Sequence, residues 1–191
     1  MSEPGATRWT DNLESNFATQ CTPADTDAEC LANANGQYRL SYDAPVSDAD
    51  MMQTFLPAFE AVVVDAKIRG IMCAYNSVNG VPLCANKLLQ EQLRDRMGFE
   101  GIVITDCGAI GMMTGNHHWN HSDGAPYTPV EATAAAMAAG TDLNCGSAYG
   151  NDLKQAWSQS RVTLPMLKQA AGRAVYLFQP SLHVPPLKFF A

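Results

Sequence analysis

Two short apolar runs in this chain each end in a polar side chain that could do chemistry. Asp106 follows Ile-Val-Ile-Thr at residues 102–105, and Tyr75 follows Ile-Met-Cys-Ala at residues 71–74. Such runs are typical of buried parallel strands, and α/β barrels carry their chemistry just beyond the carboxyl ends of those strands. A carboxylate in that position can act as a nucleophile or can cap the next helix. The spacing predicts that Tyr75 and Asp106 lie at one rim.

The segments around these strands have helical patterns. Leucines at helical spacing lie between the two runs and end at Gly98, which suits the residue after a helix. Thr128 and Glu131 form a capping box around Pro129 and predict a second helix. Residues 141–146 then have the pattern of a further strand end. This order of strand, helix and strand predicts an α/β fold.

Two further helices flank these units and are assigned to the scaffold. Ser47 and Asp50 form the capping pattern of a helix, which Pro57 is expected to kink or interrupt. Leu164 begins a last helix with apolar residues at helical spacing as far as Phe178.

Two segments resemble the β-xylosidase-like branch of glycoside hydrolase family 3. Residues 72–86, Met-Cys-Ala-Tyr-Asn-Ser-Val-Asn-Gly-Val-Pro-Leu-Cys-Ala-Asn, are similar to the signature of strand six of the family's barrel. Residues 101–108 are similar to the strand-seven segment that carries its nucleophile. The resemblance extends from about residue 42 to residue 178. It implies an α/β fold, the carboxyl-terminal part of a (β/α)8 TIM barrel that is incomplete in this chain.

The resemblance also implies the roles of four residues. Asp106 matches the nucleophile, while Tyr75, Met72 and Cys107 match positions that line the subsite for the terminal sugar. The phenol of Tyr75, the hydroxyl of Thr105 or nearby backbone amides would favour the charged form of Asp106. Cys107 stands where β-glucosidase relatives usually carry tryptophan, and this favours the xylosidase branch.

The implied reaction is the release of terminal xylose from xylo-oligosaccharides with retention of configuration. One carboxylate attacks the anomeric carbon, and an acid about 5–5.5 Å away protonates the leaving oxygen. This mechanism needs no cofactor and no metal. A β-glucosidase or an arabinofuranosidase of the same family, or an inactive carbohydrate-binding remnant, are the alternatives.

The resemblance divides the chain into three parts. Residues 1–40 are expected to be irregular and match the family poorly, residues 41–178 form a partial barrel domain, and residues 179–191 form a divergent tail. A complete barrel takes about 250 residues. Neither the family's lysine-histidine pair nor its general acid is expected in this chain, so the expected partners are the rest of the barrel and a second domain, besides the oligosaccharide.

The composition argues against two classes of partner. The formal net charge is −7, whereas nucleic acids and anionic membranes call for clustered lysine and arginine. No run approaches the ~20 apolar residues of a membrane-spanning helix, and the first residues lack the pattern of a secretory signal. By resemblance the enzyme is secreted, so a missing signal predicts a lost amino terminus.

Six cysteines leave many pairings open from the sequence alone, including free thiols packed as small apolar groups. The resemblance implies three disulfides, which are Cys107–Cys145, Cys73–Cys84 and Cys21–Cys30. Disulfides agree with the extracellular location of relatives.

Three other features could contribute to a site or have a simpler structural explanation. His117 and His121 are four residues apart and could share a metal, but the glycines and polar residues around them favour a solvated loop. Trp119 in that loop could stack on a sugar. Asp142 is expected to bond backbone amides in the turn that follows it, and it is left outside the site.

Overall fold

The computed structural model of the protein describes residues 40–182, with the side chains of the last helix described as far as residue 177. The predicted Cys21–Cys30 disulfide lies outside the described residues, as do nearly all of the predicted segment 1–40 and most of the tail 179–191.

The first sheet positions the candidate site. Strand β2 (Gly70–Cys73) and strand β5 (Ile102–Thr105) are parallel and in register over their whole length. A parallel bridge between Ile104 and Leu143 adds a third segment beside β5. This arrangement confirms the predicted parallel order and the predicted strand end near residue 143.

A second sheet has three strands of two residues each. Strand β1 (Asp43–Ala44) runs parallel to β3 (Ser77–Val78), which pairs antiparallel with β4 (Val81–Pro82). Asn79 and Gly80 form the hairpin turn between them with φ of 52° and 80°, a conformation that Asn-Gly adopts readily. The Asn79 side chain also bonds the amide and the carbonyl of Val46, at 2.8 and 2.9 Å, and so attaches the hairpin to the start of the first helix.

Among the described residues, six longer helices surround these strands, besides a short 3-10 helix at Leu83–Ala85. They are α1 (residues 48–65), α2 (Leu89–Arg96), α3 (Ala109–Gly115), α4 (Pro129–Ala138), α5 (Ala148–Ser158) and α6 (Leu164–Leu182). Gly98 follows α2 with φ of +68°, and its N–H donates to the carbonyl of Arg94 at 3.1 Å, as predicted for the residue after a helix. Helix α6 begins at the predicted residue and continues four residues beyond its predicted end at 178.

The prediction that Pro57 kinks or interrupts α1 is wrong in one respect, because the helix continues through it. The N–H of Leu56 donates to the carbonyl of Met51, so a wide i→i+5 turn lies immediately before the proline. Proline in a regular α-helix clashes with the carbonyl four residues earlier, and a wide turn is one way in which helices absorb such a disturbance.

Two apolar clusters form the core. The larger lies between the β2–β5 sheet and helices α2, α3 and α4, and it includes Cys73, Leu93, Val103, Ile110 and Met113. The smaller joins α4 to α5 and α6 and consists of Val130, Ala134, Met137, Ala156, Val162 and Ala170. The alanines of α4 contribute to both clusters, which explains why this helix is rich in small residues.

The carboxylate of Asp142 is the centre of a buried ionic network beside β5. Its Oδ2 accepts hydrogen bonds from the Arg94 guanidinium at 2.7 Å and from the Val103 amide at 2.8 Å. Its Oδ1 accepts from Arg173 at 2.9 Å. The prediction that Asp142 bonds the turn after it is therefore wrong. Residues 141–143 run alongside β5, so the side chain reaches an amide of the neighbouring strand instead.

Arg94 extends this network to the backbone. It donates to the carbonyls of Phe99, Gly101 and Gly140 at 3.1, 2.6 and 3.1 Å. Burial lowers the pKa of Arg94, while the Asp142 carboxylate opposes this change, and the guanidinium remains a cation. One side chain thus holds the end of α2, the start of β5 and the end of α4 together.

Helix α4 begins with the predicted capping box. The Glu131 amide donates to the Thr128 hydroxyl at 3.3 Å, and the Glu131 carboxylate accepts from the Thr128 amide and hydroxyl at 3.0 and 2.8 Å. Arg161 lies 2.8 Å from the same carboxylate. The backbone hydrogen bond from Thr128 is the main reason why the pKa of Glu131 is lowered from 4.5 to about 2.

Replacement of Asp142 by asparagine should destabilise the fold strongly. The change leaves two guanidinium groups beside β5 without their carboxylate, and breaking a buried ion pair costs about 3–5 kcal/mol. Urea unfolding followed by circular dichroism would measure the free energy of unfolding. The control is Lys87→Ala, which breaks an exposed pair with Glu91 at 3.3 Å and should cost less than about 1 kcal/mol. Equal losses in the two variants would contradict the role assigned to the network.

Replacement of Glu131 by glutamine should change how stability depends on pH. Because the pKa of Glu131 is lower in the fold than its usual 4.5, its ionised form stabilises the fold above that pH, and the contribution is lost as the pH falls toward 2. We expect the Tm of Glu131→Gln to lie below that of the wild type at neutral pH and to converge with it on acidification. Glu91→Gln, at an exposed position, is the control. A difference that stayed constant across the pH range would be inconsistent with this cause.

Candidate active site

The two faces of the β2–β5 sheet have opposite environments. Val103 and Thr105 on one face of β5 are fully buried against the helices. On the other face Met72 lies beside Ile104, which in turn lies beside Leu143, and this row is much more exposed, at 55% for Met72 and 37% for Leu143. Side chains alternate along a strand, so Asp106 follows the exposed row of Ile104.

Asp106 lies immediately beyond the carboxyl end of β5 and is half-buried. Its amide donates to the carbonyl of Cys73 at 3.0 Å, which fixes its backbone to the end of β2. Its Oδ1 accepts a hydrogen bond from the amide of Cys107 at 2.7 Å. Gly108, with φ of +82°, occupies the cap position of α3. The carboxylate therefore bonds the amide of Cys107, which precedes α3. The alternative prediction for Asp106 was that its side chain would cap the first amides of this helix, and the cap position has no side-chain hydrogen bond.

Tyr75 contacts the residue next to Asp106. The ring is buried, with 8% of the residue exposed, and its hydroxyl donates to the carbonyl of Cys107 at 2.8 Å. The peptide groups on either side of Cys107 are thus both engaged, one by the Asp106 carboxylate and the other by the Tyr75 phenol. As predicted, the two strand ends bring these side chains to one rim.

Two of the predicted disulfides are present. Cys107 pairs with Cys145 across a Cα–Cα distance of 4.4 Å, and Cys73 pairs with Cys84 across 5.2 Å. The first joins the segment after β5 to the segment after the Leu143 bridge, and the amide of Gly108 also donates to the carbonyl of Cys145 at 2.7 Å. Cys107 itself is exposed.

Thr105 does not have the role predicted for it as a donor to Asp106. Its hydroxyl accepts hydrogen bonds from the amide of Cys145 at 2.9 Å and from the Asn144 side chain at 3.2 Å. The reason is the alternation of side chains, which places Thr105 on the buried face while Asp106 continues the exposed one. Thr105 therefore holds the segment around Cys145 in place.

The prediction of a solvated histidine loop is correct for His118, which lies in the same loop, but wrong for His117 and for the half-buried His121, whose Nε2 lies 3.5 Å from the Glu131 carboxylate. His118 is exposed, whereas the half-buried ring of His117 contacts the oxygen of the Ser77 side chain and the carbonyl of Tyr75, at 3.0 and 2.7 Å. No pattern in the sequence indicates this contact, because His117 and Ser77 are 40 residues apart.

The remainder of the loop is a small hairpin held by stacked rings. Asn120 and Pro126 form an antiparallel bridge, and the ring of Tyr127 stacks on Trp119 at 3.9 Å and on His121 at 3.7 Å between centroids. One face of the Trp119 ring is thus covered by Tyr127, so this face does not have the open surface that the predicted stacking on sugar requires. Across residues 40–182, no group of three or more His, Cys, Asp or Glu side chains is arranged to hold a metal.

The described helices do not have the character of membrane spans. Within the described part of the chain, none combines the length and the apolar character needed to cross a bilayer.

Comparisons with known proteins identify relatives that are similar to most of this chain. A probable exo-1,4-beta-xylosidase of Aspergillus flavus is 44% identical over 147 residues, and an exo-1,4-beta-xylosidase of Emericella nidulans is 39% identical over the same length. Each alignment covers 75% of this chain and 18% of the relative, so the chain spans about a fifth of the length of these proteins.

Solved structures show the same similarity. A GH3 exo-beta-xylosidase in complex with a xylobiose aziridine activity based probe superposes with a TM-score of 0.69 at 34% identity, covering 76% of this chain and 18% of that one. The beta-glucosidase from Listeria innocua gives a TM-score of 0.64 at 30% identity, with 73% and 19% covered.

The model of the glycosyl hydrolase family 3 N terminal domain matches residues 32–177. The neighbours of this domain have an α/β fold of the TIM-barrel type, and the strand and helix units described above follow it. The chain therefore belongs to glycosyl hydrolase family 3.

Proposed function

We propose that this chain supplies the nucleophile and part of the sugar subsite of a retaining exo-β-xylosidase, which releases terminal xylose from xylo-oligosaccharides. Two kinds of finding support the proposal. Relatives named exo-1,4-beta-xylosidases are similar over three quarters of the chain. The half-buried carboxylate of Asp106 lies at the carboxyl end of a barrel-type strand, where such enzymes place their chemistry.

In the proposed reaction a carboxylate oxygen of Asp106 attacks the anomeric carbon of the terminal xylose. The bond to the leaving oxygen breaks, and a general acid from outside this chain protonates that oxygen. Water then hydrolyses the ester between xylose and Asp106, with the same acid residue acting as the base. The amide of Cys107, 2.7 Å from Oδ1, stabilises negative charge on the carboxylate before attack and after release.

The subsite would be formed by the rim around Asp106. Tyr75 holds the Cys107 peptide, and Met72 offers an exposed apolar surface on the same face of the sheet as Asp106. The Cys107–Cys145 disulfide forms a fixed wall at this rim, where β-glucosidase relatives usually carry tryptophan. A pentose lacks the hydroxymethyl group of glucose, so a wall that lies close to the bound sugar favours xylose over glucose.

We also propose that the protein acts outside the cell. Both disulfides of the described residues persist best in an oxidising compartment, and this agrees with an extracellular substrate such as a xylan fragment. The remaining walls of the barrel and the general acid would come from other parts of the enzyme.

Covalent trapping would test the proposed nucleophile without need of the general acid. A 2,4-dinitrophenyl 2-deoxy-2-fluoro-β-xyloside carries a leaving group that departs as the phenolate anion, so attack by Asp106 alone can complete the first step. Intact mass should increase by one fluoroxylosyl group, and peptide mapping should place it within residues 101–108. Asp106→Asn should not be labelled, whereas the control Asp123→Asn, in an exposed loop, should be. Label on another residue, or unchanged labelling of Asp106→Asn, would refute the assignment.

The same assay distinguishes the alternative sugars. We expect the xyloside reagent to label faster than matched β-glucoside and α-arabinofuranoside reagents at equal concentration. Faster labelling by either of these would assign the chain to a β-glucosidase or an arabinofuranosidase of the family. Binding of xylobiose in calorimetry together with the absence of any label would instead support a carbohydrate-binding remnant.

A further inference from the structure

We propose that His117 is a positioning residue for the nucleophile. It fixes the end of strand β2 and the segment after Asp106 to each other, through Tyr75. This inference rests on the proposed function, because it assigns a purpose to contacts around the proposed nucleophile.

The ring of His117 is engaged at both of its nitrogens. Nε2 lies 2.7 Å from the carbonyl oxygen of Tyr75, and Nδ1 lies 3.0 Å from the hydroxyl oxygen of Ser77. A carbonyl oxygen only accepts, so Nε2 carries a proton and donates it to Tyr75. In the neutral ring Nδ1 then accepts from the Ser77 hydroxyl, which fixes the tautomer and the ring plane.

These contacts hold helix α3 to Tyr75 at both ends. Before the helix begins, the Tyr75 hydroxyl donates to the carbonyl of Cys107 at 2.8 Å. After the helix ends, His117 donates to the carbonyl of the same tyrosine, and the His117 amide caps the last turn by donating to Met112 at 2.9 Å. The side chain of Tyr75 therefore contacts the start of the segment that follows Asp106, and its main chain contacts the end of that segment.

Through Cys107, these contacts reach the proposed nucleophile. The carbonyl of Cys107 accepts from Tyr75, while the amide of the same residue donates to Asp106 Oδ1 at 2.7 Å. If Tyr75 moved, the Cys107 backbone would lose one of its constraints, and its amide would be held less closely toward the carboxylate. Misplacement of a reacting group by about 1 Å can slow a reaction by roughly a hundredfold. The effect of His117 should therefore appear in the rate of attack more than in sugar binding.

The neighbouring histidine provides a matched control. His118 is exposed and has φ of +46°, a conformation that asparagine tolerates well. His117→Asn shortens the side chain and removes the donor to Tyr75, while His118→Asn makes the same chemical change one residue later. His117→Gln is the rescue variant, because its amide nitrogen extends about as far as Nε2 and keeps a donor for the Tyr75 carbonyl.

The test measures labelling by the 2-fluoroxyloside reagent over a range of reagent concentrations. For His117→Asn we expect the maximal rate of labelling to fall by roughly tenfold to a hundredfold, with a much smaller change in the reagent's dissociation constant. His118→Asn should label at the wild-type rate, and His117→Gln should recover most of the loss. Nitrogen-15 chemical shifts of the neutral His117 ring should show a protonated Nε2 and an unprotonated Nδ1.

The outcomes separate this inference from the proposed function. Wild-type protein that is never labelled at Asp106 refutes the proposed function, and with it the purpose assigned to His117. Normal labelling of the wild type with an equal rate in His117→Asn refutes the positioning role alone, as does a ring protonated only at Nδ1. A loss in His117→Asn that His117→Gln does not repair, accompanied by an equal fall in Tm, indicates a purely structural role and also overturns the proposal.

Discussion

The buried carboxylate of Asp142 is the contact on which the rest of the structure depends. It binds two guanidinium groups and a backbone amide of β5, and through Arg94 it is linked to carbonyls just before β5 and just after α4. A buried charge is costly unless it is paired, and here both carboxylate oxygens have partners, whereas the buried Nε of Arg94 has no hydrogen-bond partner. The network sets the position of residues 141–143 beside β5. That position in turn brings Cys145 within reach of Cys107 at the other end of the strand.

The two ends of strand β5 therefore contact different parts of the molecule. Near its start, Val103 bonds Asp142, and beyond its last residue Asp106 enters the candidate site. Because side chains alternate along the strand, two consecutive residues lie in different environments. Thr105 is buried and bonds the segment of Cys145, while Asp106 is half-buried at the rim. A shift of one residue in the pairing of β5 would exchange these two environments, so the parallel register is a condition of the proposed activity.

Local signals and resemblance predicted much of this arrangement. The capping box at Thr128, the glycine after α2 and the two strand ends each depend on residues within a few positions of one another, and all are confirmed. Side-chain contacts between distant segments could not be predicted in this way. Asp142 finds its arginines 48 and 31 residues away, and His117 finds Ser77 at a distance of 40 residues. A solvated loop was therefore a reasonable expectation for His117, since nothing near it in the sequence indicates a partner.

Several contacts at the rim hold the backbone around Asp106. Its amide is bonded to the end of β2, and the next residue is held by a phenol, by a disulfide and by the carboxylate itself. The disulfide provides a covalent link to the segment of Cys145, whereas the link to β2 and the residues after it consists of hydrogen bonds from the Asp106 amide, the Tyr75 phenol and the His117 ring. A nucleophile must be held closely enough to attack, yet its ester must also be able to relax for hydrolysis. One covalent and one hydrogen-bonded constraint on the same segment agree with both requirements of the proposed reaction, because hydrogen bonds can rearrange while the disulfide keeps its link.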